Sequence, residues 1–113
     1  MSNAIDDFVR HLLETDWPMG GGESIRIVEA DVSSLSKDPP VLRLGALIGD
    51  QFSPGRWRFT LQLDPEDVRG LAEPSYRHAM ADVVVPANIM EWWHTRDNPV
   101  VISAEEDARK DPG

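Results

Sequence analysis

Residues 56 to 63 read Arg-Trp-Arg-Phe-Thr-Leu-Gln-Leu, a strict alternation of polar and apolar side chains. Only an extended strand sends successive side chains to opposite faces, so this segment demands a sheet with one dry face. That face carries Trp57, Phe59, Leu61 and Leu63, while Arg56, Arg58, Thr60 and Gln62 share the other. Whatever fold the chain adopts must lay apolar surface against those four large groups. The N-terminal segment offers it. Over residues 4 to 15, Ile5, Phe8, Val9, Leu12 and Leu13 recur at the spacing of one helical face, and Asp6, Asp7, Arg10 and Glu14 take the opposite one. Ser2 or Asn3 can cap that helix and the two aspartates complement its positive end; Pro18 and Gly20-Gly21-Gly22 stop it.

Two further strands are predicted ahead of residue 56. Ile25 to Val32 alternates but slips at Ile27-Val28, which points to a bulge or to apolar side chains on both faces. Val41 to Ile48 sets Leu42, Leu44, Ala46 and Ile48 on one side. The connections are short and rich in turn formers, which favours an antiparallel meander. The glycine run at 20–22 reads as a flexible linker. Asp64-Pro65-Glu66-Asp67 starts a helix, with a capping carboxylate, proline in the first turn and acids against the dipole. Gly70 and Pro74 keep it short, and residues 75 to 82 add a helical turn or two.

Val83-Val84-Val85 predicts a short extended stretch, because it is β-branched and bounded by Pro86. Pro86 opens a helix through Trp92 and Trp93 that closes at Asn98-Pro99, and Val100 to Ile102 predicts a last strand. The expected class is α+β: an antiparallel three- to four-stranded sheet with an N-terminal helix and C-terminal helices packed on one face. Residues 1–103 are expected to form a single domain and 104–113 an acidic tail that frays.

Composition narrows the function. A chain of 113 residues suits one domain. The absence of cysteine excludes disulfides, thiolate zinc sites, iron–sulfur clusters and thiol catalysis. Net charge is −9, from 20 acidic and 11 basic side chains, which disfavours phosphate backbones and anionic membranes and favours a basic protein partner. No apolar run reaches the length of a bilayer span and no signal sequence is read, so the expected location is cytoplasmic.

Motifs for chemistry are absent: no Gly-x-Ser-x-Gly, no Gly-x-Gly-x-x-Gly and no phosphate loop occur. His11 reads as a boundary residue of the first helix, and His78 and His94 lie near Asp82, Glu91 and Asp97 without a metal-site spacing. Asp64, Glu66 and Asp67 are explained by helix capping. No catalytic residue, cofactor or metal is therefore assigned. Trp92 and Trp93 are adjacent on a helix, about 100° apart, so burying both in one core is difficult. With Arg56 and Arg58 they are the predicted partner-binding residues, since exposed Trp and Arg commonly anchor interfaces.

The expectation is a small acidic non-catalytic protein-binding module, an adaptor, inhibitor or immunity-type protein, engaging a basic partner. It follows an analogy of size and charge with small bacterial and phage proteins of those kinds. Two alternatives stand beside it. One is a ligand-binding or enzymatic domain with a pocket near Tyr76, His78, Trp92 and His94. The other is a structural homo-oligomer, a homodimer for instance, joined at a sheet edge.

Overall fold

The computed structural model describes residues 4–107. Its elements run α1 (Ala4–Leu13), β1 (Asp16–Gly20), β2 (Glu23–Asp31), β3 (Val41–Gly49), β4 (Gly55–Gln62), α2 (Pro65–Gly70) and α3 (Pro74–Ala79). A π-helical turn (Met80–Val84), α4 (Val85–Thr95) and β5 (Val101–Glu106) complete it. The strands form one sheet in the order β1-β2-β3-β4-β5, and every neighbouring pair is antiparallel. The class is α+β, as expected, but the sheet has five strands rather than three or four. Among the described residues no helix is long and apolar enough to cross a membrane.

The fourth strand behaves as its alternation requires. Leu42 lies opposite Leu61 and Leu44 opposite Phe59, so the apolar sets of β3 and β4 share one face. The slip in β2 is a bulge: Ile27 pairs with Ala46 and Glu29 with Gly45, which leaves Val28 as the extra residue. On the covered face Ile25, Ile27, Leu44, Phe59 and Leu61 meet Phe8 and Leu12 of α1 and Ile89 of α4 in one core. Fully burying a side chain of this kind contributes about 1.5–3 kcal/mol, so this layer dominates stability.

Three expectations are corrected. The glycine run is no flexible linker. Asp16–Gly20 is an edge strand whose Trp17 pairs with Ile25, and Gly20, Gly21 and Gly22 all take positive φ in the hairpin turn that follows. Pro18 is tolerated because an edge strand does not need its missing N–H. Second, Val83 and Val84 lie in the π-helical turn and Val85 opens α4. The ring of Pro86 clashes with the carbonyl four residues back and lacks an N–H to reach it, and the turn widens so that Val85 N–H donates to Met80 O. Backbone geometry imposed by one proline outweighs the β-branched preference. Third, α2 and α3 bury no residue and lie at the margin, α3 against α1 and the π turn, so α1 and α4 do the covering.

Residues 104–106, assigned to a fraying tail, pair with β4 through Ala104–Phe59, Glu105–Arg58 and Glu106–Trp57. Asp107 follows on, its N–H donating to Arg56 O at 2.8 Å, and residues 108–113 lie outside the described residues. Buried Asn98 directs the return. Its Oδ1 accepts from Val100 N–H at 2.8 Å and its Nδ2 donates to Asn88 Oδ1 at 3.1 Å, which turns the chain out of α4 into β5.

Candidate functional site

Trp57 stands on the helix-facing side of β4, and α4 brings two indoles to it. Trp92 meets Trp57 edge-on, with ring centroids 5.8 Å apart, and meets Phe59 at 5.6 Å. Trp93 is perpendicular to Trp57 at 5.3 Å. Adjacent positions on a helix thus grip one strand residue from two sides. All three tryptophans remain half-buried.

Arg96 closes the cluster. It ends α4 in the left-handed conformation, φ 58°, with its N–H donating to Trp92 O at 2.6 Å. Its guanidinium carbon comes back to 4.4 Å from the Trp92 ring, 4.7 Å from Trp93 and 5.5 Å from Trp57. A left-handed non-glycine residue costs roughly 1–2 kcal/mol. A cation over an exposed aromatic returns about 0.5–1 kcal/mol, so contact with three indoles offsets the strain. Exposed Glu91 and Asp97 flank this group along the chain, and Glu106 lies directly across the strand from Trp57.

Arg56 and Arg58 are elsewhere. Registry puts Asp16, Arg26, Glu29, Asp31, Arg43, Arg56, Arg58 and Glu105 on the sheet face that no helix covers. With Asp107, which pairs with Arg56, that face holds four arginines against five carboxylates, close to charge balance. Arg56 pairs with Glu29 and, at 3.5 Å, with Asp107, while Arg58 reaches Glu105 at 3.4 Å. Glu29 lies flat over Gly45, where an added Cβ would stand 3.2 Å from its own. The acidity sits on the helical side instead. Residues 64 to 97 carry seven carboxylates against three arginines. Of the four residues named from the sequence, the structure brings Trp92 and Trp93 together and places Arg56 and Arg58 behind them; Arg96 and Trp57 are the residues sequence reasoning passed over.

A second cluster joins α1 to α3. Asp7 Oδ2 accepts from Arg77 Nε and contacts His78 Nε2, each at 2.7 Å, and Oδ1 pairs with Arg10. The His78 hydrogen bond, with help from Arg77, holds the Asp7 carboxyl far below the usual carboxylate range. His11 stacks on His78 at 3.9 Å and its Nδ1 lies 3.3 Å from Asp82 Oδ1. Asp7, His11 and His78 each offer one ligand atom, all mutually within 4.8 Å, and are the described residues able to hold a metal ion.

The four residues of the expected pocket are distributed among different neighbourhoods. Tyr76 donates to Asp67, which raises its phenol above the ordinary value, and its ring covers Gly70. His78 belongs to the α1–α3 cluster, Trp92 to the aromatic one, and His94 is exposed. None of the three main clefts is lined by any of them.

Fold and sites together define a small α+β domain with a helix-covered antiparallel sheet, an open charged face and an aromatic rim. The chain matches no protein-family model, no characterised protein and no solved structure.

Proposed function

We propose that the protein is a non-catalytic protein-binding module that engages a partner with a basic surface through Trp57, Trp92, Trp93 and Arg96. One observation carries this reading: three partly exposed tryptophans gather in a single cluster at the edge of the core, with the Arg96 guanidinium over their rings and Glu91, Asp97 and Glu106 beside them. Indole and guanidinium groups supply most binding energy in interfaces, and carboxylates around them suit lysines and arginines opposite. The acidic helical layer steers such a partner toward this side of the molecule. Joining at a sheet edge has less support, since Pro18 interrupts the β1 edge and Glu105-Glu106 charge the β5 edge.

Affinity capture from native lysate at low and physiological salt, with wild-type protein beside a Trp92→Ala/Trp93→Ala double variant, tests the reading. A basic protein retained by the wild type, released by salt and lost by a folded double variant supports it. Equal retention by both proteins refutes it.

A further inference from the structure

We infer that Asp7, His11 and His78 form a site for one divalent transition-metal ion of the zinc type. Asp7 and His11 stand four residues apart on α1, the spacing that sets two side chains on one face of a helix. His78 arrives from α3, so the three ligands bridge two elements. His11 Nε2 lies 3.9 Å from Asp7 Oδ1, and His78 Nε2 lies 2.7 Å from Asp7 Oδ2. In a tetrahedral site with bonds of about 2.0–2.1 Å, neighbouring ligand atoms stand about 3.3 Å apart. One candidate atom from each of the three residues already lies within 4.8 Å of the others, so the side chains close by no more than about 1.5 Å.

The outer groups favour coordination. Asp82 Oδ1 lies 3.3 Å from His11 Nδ1, and the tautomer with its proton on Nδ1 donates to that carboxylate and keeps the Nε2 lone pair for a metal. A carboxylate fixing the far nitrogen of a ligating histidine in this way is the usual support of such sites. Arg77 and Arg10 remain on Asp7 as outer hydrogen bonds to a ligating carboxylate, which moderates affinity without occupying the centre. The two imidazoles are stacked at 23°, and a turn about the soft ring torsion of one lets both lone pairs meet. Side-chain exposures of 12% for Asp7, 26% for His11 and 38% for His78 leave one side open for the ion to enter and for water as fourth ligand. Two imidazoles with one carboxylate select zinc, nickel or copper over magnesium and calcium, which prefer all-oxygen cages.

The test is calorimetric titration of Zn²⁺, with Mg²⁺ as control, into tag-free, chelator-treated full-length protein. The expected result is one Zn²⁺ per chain with micromolar or tighter affinity and no Mg²⁺ uptake at that concentration. His11→Gln and His78→Gln, each checked for fold by circular dichroism, should weaken binding at least about tenfold, and Asp82→Asn, which frees His11 Nδ1, by about tenfold. Co²⁺ should give the strong visible bands of tetrahedral coordination in the wild type and lose them in both histidine variants. Absence of saturable Zn²⁺ uptake up to about millimolar concentration, or uptake unchanged in both folded histidine variants, overturns the assignment.

Discussion

On its helix-covered side the sheet carries Ile25, Ile27, Leu44, Phe59 and Leu61, each almost inaccessible to water; on the other, the same strands carry four arginines and four carboxylates in the open. Alternate residues of one strand thus do unlike work. Within β4, Phe59 is 1% exposed, whereas neighbouring Arg58 pairs with Glu105 at a site where water competes for both charges. The covered face sets whether the chain folds. The open face adds less, because pairs such as Arg58–Glu105 are exposed and contribute little; Asp107 against Arg56, with its carboxylate buried, is the exception. The aromatic rim belongs to neither class: its indoles are packed like a core on one side and wet on the other.

The largest effect expected from this contrast follows Phe59→Ala, which should lose about 3–5 kcal/mol, while Arg58→Ala one residue away should stay within about 0.5 kcal/mol. Urea unfolding of the two variants checks it, and comparable losses would show that the open face carries stability too. Gly21→Ala comes next. No atom lies within 4 Å of its added Cβ, so the whole cost, about 1 kcal/mol, comes from forcing alanine to φ +65° in the β1–β2 turn. A neutral result would mean that the turn relaxes.

The smallest expected change appears on acidification. His78 and Arg77 lower the folded-state Asp7 carboxyl below its unfolded value, so its contribution is fully present above the ordinary carboxylate range, near pH 4, and is lost progressively as pH falls from there toward the lowered folded-state value. Asp7→Asn should therefore flatten the fall in urea midpoint between about pH 5 and pH 2. An unchanged slope would move the acid sensitivity to other carboxylates, with Asp31 and Glu73, both lowered by neighbouring serines, the first to examine.

Much of the covered face was legible because a period of two survives unbroken in β4 and its single slip in β2 marks a real bulge at Val28. β1 was not, because Pro18 and three glycines are local turn formers and only pairing with Ile25 makes the segment a strand. Val83–Val85 misled for the opposite reason: local preference was plain, but the ring of Pro86 and the helices on either side decided the backbone. The surface clusters needed three dimensions. Arg96 reaches the indoles through a left-handed turn that the surrounding sequence does not announce. Asp7 and His78 are 71 positions apart and meet only because α3 packs on α1. The adjacent tryptophans did signal a shared surface, yet Arg56 and Arg58 are separated from it by the sheet itself.

That separation makes Trp93 and Arg58 a matched pair: neighbours of β4 on opposite sides, one in the proposed contact and one outside it. Calorimetric titration of the captured basic partner against folded Trp93→Ala and Arg58→Ala proteins reads both. Binding should weaken by about thirtyfold or more for Trp93→Ala, the size of an interface anchor, and by no more than about twofold for Arg58→Ala. Undiminished affinity in Trp93→Ala, with the loss falling on Arg58→Ala, would contradict the aromatic rim and move recognition to the open face.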